Sequence, residues 1–309
     1  MKKFSIKLLL FVICFWAFDK VFLIIRDRTP SLEVDQKLER VLEGKFNHDV
    51  LIFGSSLSAS GIYAQQLGDS LHCTAYNLSS PGSDIDYTEF ILQQFVSHKN
   101  KKPKLLVLAV NEPVELFYNK IVNFRFDRLY PLMKYPEIRD EMIVRGEKNK
   151  YLSALFILHQ LNKSNLDIRQ RHFTLYDTIL PCGSMPSSAV TNNFPGGYYD
   201  GNRPYQFELE LAYKVKKLES FVNICNKENI KLLIVFMPRF HTRNFNFEKR
   251  IHDIAGSKAL YYGHNQNVEA YKNRNYFEDA AHLNFKGARV YTAELALYIK
   301  DAQLLSLKD

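Results

Sequence analysis

Short apolar runs alternate with amphipathic stretches along most of the chain. The runs are rich in Val, Ile, Leu and Phe and end in polar or Gly-containing turns, a pattern typical of strands buried on both faces of a parallel sheet. We predict five such strands: Asp49–Phe53, Cys73–Leu78, Leu105–Val110, Lys231–Phe236 and Ala259–Tyr262.

Apolar residues at helical spacing follow most of these runs. The predicted helices are Leu57–Leu67, Asp84–His98, Gln206–Asn226, Phe247–Ala255 and Asn284–Lys300. Strands that alternate with helices predict an α/β fold, with a doubly wound five-stranded parallel sheet of the flavodoxin-like kind and right-handed crossovers. Reactive groups of such folds gather at the carboxyl ends of the strands.

The alternation is interrupted after the third strand for roughly ninety residues, which is longer than an ordinary α/β connection. We therefore predict one domain over 49–309 with an insertion at about 113–205. Residues 127–162 have helical character, whereas 181–204 are rich in Pro, Gly, Asn and Tyr and indicate an irregular loop.

The N-terminus carries a long apolar segment, Leu8–Phe18, which resumes as Val21–Ile25 after Asp19 and Lys20. A basic start without an Ala-x-Ala cleavage site favours an uncleaved signal anchor over 1–28 rather than a cleaved signal peptide. The two charged residues either snorkel to the outer interface or pair with a membrane partner. Alternatively, the helix core ends near residue 18 and continues along the interface. Residues 29–48 are interpreted as a linker or short helix.

Charge and cysteine content narrow the function classes for this chain of 309 residues with a net charge of +8. The basic run Lys99–Lys104 is typical of a solvated loop, so nucleic acid is not an expected partner. Attraction to anionic lipid or an anionic wall polymer fits the charge better. Three of the four cysteines lie in the body without Cys-x-x-Cys spacing, so neither a metal site nor a disulfide framework is predicted. The small excess of basic residues before the apolar segment places the body outside the cytoplasm.

Two distant motifs carry the candidate chemistry. Ser56 follows the first predicted strand in Gly54-Ser-Ser, where α/β enzymes place nucleophiles, and Asp279 stands three residues before His282 ahead of the last helix. A hydroxyl, an imidazole and a carboxylate are thus available for nucleophilic catalysis. The rival candidates are the nearby serines and other histidines of the body: Ser55, Ser58, His241 and His264.

With these motifs, the chain resembles the SGNH/GDSL superfamily of serine esterases and acyltransferases from about residue 49 to residue 300, apart from the insertion. Gly54-Ser55-Ser56 corresponds to that family's Gly-Asp-Ser, with Ser in place of Asp. Ala109-Val-Asn-Glu112 retains only the Asn of the family's Gly-x-Asn-Asp motif. The family's last motif, Asp-x-x-His-Pro-Asn-x-x-Gly, is matched by Asp279, His282, Asn284 and Gly287, with Leu283 in place of Pro.

The resemblance implies a Ser56–His282–Asp279 triad and an oxyanion hole built from the backbone N–H groups of Ser56 and Gly82 and the Asn111 amide, without a cofactor or metal. Each residue also has a structural explanation. Ser56 could cap a helix, Gly82 and Asn111 could form turns, and Asp279 could support a structural His.

Further residues are candidates for substrate contact. Arg239 and His241 follow the fourth predicted strand, and the segment 194–203 offers Tyr198, Tyr199 and Arg203 to a sugar. Exposed loop polarity and aromatic packing within the insertion explain the same residues.

We therefore expect a membrane-anchored serine esterase or O-acyltransferase outside the cytoplasm that removes or transfers a small acyl group, acetyl above all, on envelope polysaccharide. Family members with an anchor work beside membrane-bound acyltransferases, so such an enzyme is an expected partner. The alternative is a non-catalytic accessory protein that keeps the fold and docks with that partner through its anchor. A lipid esterase is a third possibility, and it would have an apolar cleft.

Overall fold

The computed structural model describes residues 2–28, 35–166, 179–189 and 197–305. The chain divides into two compact units. One unit contains the described residues within 1–39 and 125–172, and the other contains those within 40–124 and 173–309.

The second unit is built around a five-stranded sheet in which all neighbouring strands are parallel, in the order β2-β1-β3-β4-β5. The strands are β1 Val50–Phe53, β2 Ala75–Asn77, β3 Leu105–Val110, β4 Lys231–Phe236 and β5 Leu260–Gly263. The predicted α/β fold with a five-stranded parallel sheet is thus confirmed. Phe53 lies opposite Leu108, so the turn after β1 meets the end of β3.

The α-helices in the described part of the chain are α1 Lys2–Asp19, α2 Phe22–Arg28, α3 Lys37–Leu42, α4 Ser56–Gly61, α5 Ala64–Leu71, α6 Ile85–Ser97, α7 Phe126–Leu129, α8 Pro136–Val144, α9 Lys150–Leu155, α10 Ile157–Gln160, α11 Ala212–Lys227, α12 Phe245–Ala255 and α13 Phe285–Asp301.

Helices cover both faces of the sheet because successive side chains of a strand point to opposite sides. Val50 and Ile52 of β1 belong to a core that includes apolar side chains of α4, α5 and α13. The neighbouring residue Phe53 points the other way, and its ring lies 5.8 Å from that of Phe221 on α11. A sheet covered in this way explains the continuous apolar runs in the sequence.

Two predicted helix boundaries are wrong. The helix predicted over Leu57–Leu67 is two helices, α4 and α5, separated at Ile62 and Tyr63. The helix predicted from Gln206 begins as α11 at residue 212, preceded by a short 3₁₀ turn at Phe207–Leu209.

The break between α4 and α5 has a tertiary cause. The Asn77 side-chain amide donates to the carbonyl oxygens of Ser58 and Ile62, at 2.8 and 3.0 Å. The Tyr63 N–H donates to Thr292 Oγ1 at 2.9 Å. Side chains from distant segments thus satisfy backbone groups that a continuous helix would pair internally.

The described residues of the first unit include a candidate membrane span, the 27 residues Lys2–Arg28, which is long and apolar enough to cross a bilayer. It consists of α1 and α2, joined by a turn at Lys20 and Val21. The segment 127–162 holds four short helices, α7 to α10, consistent with its predicted helical character.

Two other predicted segments are covered only in part. The predicted linker 29–48 contains α3, and its residues 29–34 lie outside the described residues. Of the irregular loop predicted at 181–204, the described parts contain neither helix nor strand, while 190–196 lie outside them.

Candidate active site

Ser56 is placed by the sharp turn that follows β1. Gly54 in this turn has φ +145°, and a Cβ there would lie 2.7 Å from the carbonyl oxygen of Ala109 and 2.5 Å from Ser58 Oγ. Only glycine fits such a close approach between the ends of β1 and β3. Ser56 is the first residue of α4 and is partly exposed, whereas the other residues of 51–60 are buried. The turn therefore presents one hydroxyl to solvent.

Three predicted side chains meet at this turn. Ser56 Oγ lies 2.8 Å from His282 Nε2, and His282 Nδ1 lies 2.9 Å from Asp279 Oδ2 and 3.0 Å from Oδ1. These distances are hydrogen-bond distances, and they connect hydroxyl, imidazole and carboxylate in one line. The imidazole can accept a proton from Ser56 if its own N–H faces Asp279.

Local backbone contacts hold the Asp279 carboxylate in place. Its Oδ1 accepts the N–H groups of Ala281 and His282, at 2.7 and 2.8 Å. Burial raises the pKa of Asp279, but the hydrogen bond and charge of His282 and these two N–H donors lower it more, and the pKa falls to about 2. The group is therefore ionised at neutral pH and can stabilise a positive charge on His282.

Asn284 and Gly287, the last two matched residues of the motif that contains Asp279 and His282, have structural roles. Asn284 caps α13 by accepting the N–H groups of Lys286 and Gly287, and its amide donates to the carbonyl oxygens of Asn275 and Phe277. A Cβ on Gly287 would collide with the backbone oxygen of Tyr276. Both residues anchor the loop that carries Asp279 and His282 to the start of α13.

Gly82 belongs to a loop that is bonded to the Ser56 turn. The N–H of Ser80 donates to the Gly54 carbonyl oxygen at 3.0 Å, and Ser83 Oγ lies 3.3 Å from the same oxygen and 2.6 Å from the Ser80 carbonyl oxygen. Gly82 lies between these two contacts with φ +73°. The loop after β2 is thus fastened to the turn after β1.

Asn111 follows β3 and is buried beside the same turn. Its Nδ2 lies 3.4 Å from Ser55 Oγ, and its Oδ1 is buried without a hydrogen-bond partner. A half-turn of the amide would let Oδ1 accept from the Ser55 hydroxyl and leave Nδ2 as a donor for a bound oxygen. The structure therefore brings Asn111 to the turn that carries Ser56.

Glu115 is a residue of this region that the sequence did not single out. Its Oε2 accepts the Asn111 N–H at 2.7 Å, and its own N–H donates to the Asn111 carbonyl oxygen at 2.7 Å. Asp84 and Lys214 form a buried ion pair at 2.9 Å nearby. Burial and the Asp84 charge raise the pKa of Glu115 to about 8. A carboxyl group four residues after Asn111 matches no motif, so the sequence held no signal for it.

Arg239 lies beside the acid end of the Ser56–His282–Asp279 line. The Phe240 N–H donates to the Ala280 carbonyl oxygen at 2.9 Å, which joins the loop after β4 to the Asp279 loop. Arg239 Nη1 donates to the Glu112 carbonyl oxygen at 2.5 Å. Burial lowers the pKa of Arg239, and the charges of Glu112 and Asp279 oppose that effect.

The other predicted contact residues form a small cluster where the segment that contains Tyr199 meets the loop after β4. The Tyr199 ring lies 5.1 Å from that of His241, and the Arg203 guanidinium lies 5.9 Å from the Tyr199 ring centre. Tyr199 and Arg203 are exposed, whereas His241 is buried and its Nδ1 donates to the Thr242 carbonyl oxygen. Tyr198 faces inward: its ring packs edge-on against Phe240 and its hydroxyl is buried.

The rival candidates are buried. Ser58 Oγ lies within hydrogen-bond distance of the Ser55 carbonyl oxygen and of Ser79 Oγ, at 3.1 and 2.8 Å, and Ser55 is 2% exposed. His264 is 1% exposed, and burial lowers its pKa to about 3. Of the candidate pairs, the described geometry joins Ser56 with His282. Fold and site together define a parallel α/β protein with a hydrogen-bonded Ser, His and Asp at the carboxyl edge of its sheet.

No protein-family model and no curated protein matches this chain. Among solved structures, the chain is similar to a Streptococcus pneumonia protein that carries the provisional description of a platelet activating factor. The similarity covers 93% of this chain and 99% of that chain, at 9% sequence identity and a TM-score of 0.42. A likeness at this level assigns neither an activity nor a substrate to this chain.

Proposed function

We propose that this protein is a membrane-anchored serine esterase or O-acyltransferase of the SGNH type, which removes or transfers a small acyl group, above all acetyl, on envelope polysaccharide. The observation that carries the proposal is the unbroken line from Ser56 Oγ through the His282 ring to Asp279, with separations of 2.8 and 2.9 Å. A serine hydroxyl needs such a base because it is a weak nucleophile at neutral pH.

The reaction proceeds in two halves. Ser56 Oγ attacks the acyl carbonyl carbon while its proton passes to His282 Nε2, and the C–O bond to the leaving alcohol then breaks as His282 returns the proton to that oxygen. Water or a sugar hydroxyl next attacks the acyl-Ser56 ester and gives its proton to His282. The free acid or a new ester leaves, and the proton returns to Ser56 Oγ.

Negative charge develops on the acyl carbonyl oxygen in both halves of the reaction. The backbone N–H groups of Ser56 and Gly82 and the amide of Asn111 are the donors we assign to this oxyanion. Their loops are the ones that meet at the Gly54 turn. One such donor stabilises the transition state by about 3 kcal/mol.

The fold supports the assignment to the SGNH type. The strand order β2-β1-β3-β4-β5 is that of flavodoxin-like sheets, whose ligands bind at the carboxyl ends of the strands. Ser56, Gly82, Asn111 and Arg239 follow β1, β2, β3 and β4 in that order.

The location and substrate are inferred from other features. The Lys2–Arg28 span supports an anchor, and the basic residues before it support a body outside the cytoplasm. A net charge of +8 favours an anionic polymer as partner. The exposed Tyr199 and Arg203 supply an aromatic face and a cation of the kind that bind sugars.

Labelling with a fluorescent fluorophosphonate tests the nucleophile. The wild-type protein should be labelled, Ser56→Ala should lose the label, and Ser58→Ala, a matched change two residues away, should keep it. A folded wild-type protein that takes no label would contradict the proposal and favour the non-catalytic accessory protein.

Substrate is tested next with a panel of acetylated envelope glycans. Release of acetate into water indicates hydrolysis, whereas transfer of labelled acetyl to an unmodified glycan indicates acyltransfer. Preference for long-chain lipid esters over acetyl esters would contradict the proposed substrate.

A further inference from the structure

Asp19 is a charged residue near the end of the apolar helix α1, and it is 3% exposed. Its two carboxylate oxygens accept the backbone N–H groups of Ile157 and Leu158, at 2.6 and 2.8 Å. These are the first residues of α10, whose N–H groups have no partner within the helix. The carboxylate therefore binds the α9–α10 segment to the candidate span.

Neighbouring contacts strengthen this attachment. Lys20 Nζ donates to the Leu155 carbonyl oxygen at 2.8 Å, and the same amine lies 3.1 Å from Asp19 Oδ2 and 4.7 Å from the Trp16 ring centre. The Phe15 ring lies 5.8 Å from the Phe156 ring. Asp19 and Lys20, the two charged residues that interrupt the apolar segment, thus both find hydrogen-bond partners in the α9–α10 segment.

The outward face of this segment is apolar. Tyr151, Leu152, Leu155 and Leu158 are between 43% and 75% exposed. An open crevice of about 360 Å³ lies between the segment and α1, lined by Phe15, Asp19, Leu152, Phe156, Leu158 and His159. Such a face is costly in water because it leaves several large apolar side chains hydrated.

The position along the span indicates what covers this face. At 1.5 Å per residue, Asp19 stands about 25 Å along the helix from Lys2, close to the roughly 30 Å of a bilayer core. Trp16 and Lys20 are residue types that settle at the boundary between lipid and water. Leu152 and Leu158 line the crevice together with Phe15 of α1, and the apolar surface of α1 must itself meet lipid if α1 spans the membrane.

We propose that the segment from Tyr151 to Leu158 inserts into the lipid interface beside the anchor, and that Asp19 holds it there. The occupant of the apolar face is the acyl-chain region of phospholipid. The inference depends on the anchor spanning the membrane and is independent of the chemistry at Ser56.

Fluorescence quenching in nanodiscs tests the proposal on the full-length protein. Trp16 is the only tryptophan of the chain, so the Trp16→Phe background is free of native signal. In that background Leu155→Trp should be quenched by phospholipids brominated on their acyl chains to within about twofold of wild-type Trp16, and only weakly by aqueous iodide. Asp19→Ala in the same background should lower the lipid quenching, because the two α10 N–H groups lose their acceptor.

Each other outcome overturns part of the proposal. If iodide quenches the new tryptophan as strongly as free N-acetyltryptophanamide, the face is in water. Protection from both quenchers would indicate a protein partner instead of lipid. Unchanged lipid quenching in the Asp19→Ala variant would exclude Asp19 as the attachment. Circular dichroism verifies that each variant is folded. Because the readout is fluorescence, the result does not depend on catalytic activity.

Discussion

Replacing Asp279 by Asn should inactivate the site more completely than replacing it by Ala. Asp279 Oδ1 accepts two backbone N–H groups, at 2.7 and 2.8 Å, and an amide NH₂ cannot take that role. The Asn oxygen therefore stays at the Oδ1 position, and its NH₂ replaces Oδ2, 2.9 Å from His282 Nδ1. An N–H on Nδ1 would then face this NH₂ donor, and the Asn oxygen, 3.0 Å from Nδ1, already accepts two backbone N–H groups. The imidazole would therefore carry its proton on Nε2 and could not accept one from Ser56.

The expected loss of rate differs between the two variants. Asp279→Ala removes the negative charge, whereas Asp279→Asn also favours the wrong tautomer of His282. Lowering the pKa of Asp279 from 3.8 to about 2 corresponds to roughly 2.4 kcal/mol, at about 1.36 kcal/mol per pKa unit. The side chain is 41% exposed, so solvent screening reduces this to about 1 kcal/mol. Loss of about 1 kcal/mol slows the reaction about fivefold, and loss of the orienting contact to His282 should bring the total for Asp279→Ala to about 10- to 100-fold. The wrong tautomer in Asp279→Asn should slow it by about 10³- to 10⁴-fold.

The assay is the second-order rate constant for fluorophosphonate labelling of Ser56 at pH 7. Asp49→Asn is the matched control, because Asp49 also accepts a backbone N–H, from Thr74, but precedes β1 at the opposite end of the strand. Its labelling rate should equal that of the wild type.

Stability should change little in either Asp279 variant at pH 7. A carboxyl whose pKa is lowered on folding stabilises the protein above its unfolded pKa of 3.8, and this contribution is lost as the pH falls towards 2. The variants should therefore differ from the wild type by about 1 kcal/mol at neutral pH and converge with it in acid. Labelling of Asp279→Asn at more than a tenth of the wild-type rate, or faster than Asp279→Ala, would refute the tautomer argument.

Three further changes test neighbouring parts of the site. Asn111→Ala should lower kcat for acetyl-ester hydrolysis by about 10²- to 10³-fold with little change in KM, since one oxyanion donor is lost; an unchanged kcat would remove Asn111 from the site. Burial raises the pKa of Glu115 to about 8, so the folded state keeps a proton that the unfolded chain releases near pH 4.3. The free energy of unfolding of the wild type should therefore decrease as the pH rises from about 4.3 to about 8. Glu115→Gln should flatten that pH dependence of the urea midpoint, and a parallel slope in both proteins would contradict it. Gly54→Ala should lower the free energy of unfolding by about 1–3 kcal/mol and abolish labelling, because its Cβ would meet the Ala109 carbonyl oxygen at 2.7 Å; normal labelling would disprove the need for glycine.

The local pattern of apolar residues was sufficient to predict the bounds of the strands β3 and β4. The boundaries predicted for β3 and β4, Leu105–Val110 and Lys231–Phe236, agree with the structure at both ends. Their side chains are almost all buried, so the apolar run and the strand coincide. The N-terminal candidate span was recognisable for a similar reason, since its length and composition are properties of one continuous segment.

Contacts between distant segments determine the features that local sequence did not predict. The break between α4 and α5 depends on the side chains of Asn77 and Thr292, which lie on other elements, so no local signal marks it. Glu115 became visible only through its contact with the Asn111 N–H. The order of strands and helices along the chain and the residue types available for catalysis follow from local sequence alone. Only the tertiary structure brought Ser56 within 2.8 Å of His282, because residues 226 positions apart can meet only after the sheet has aligned the ends of its strands.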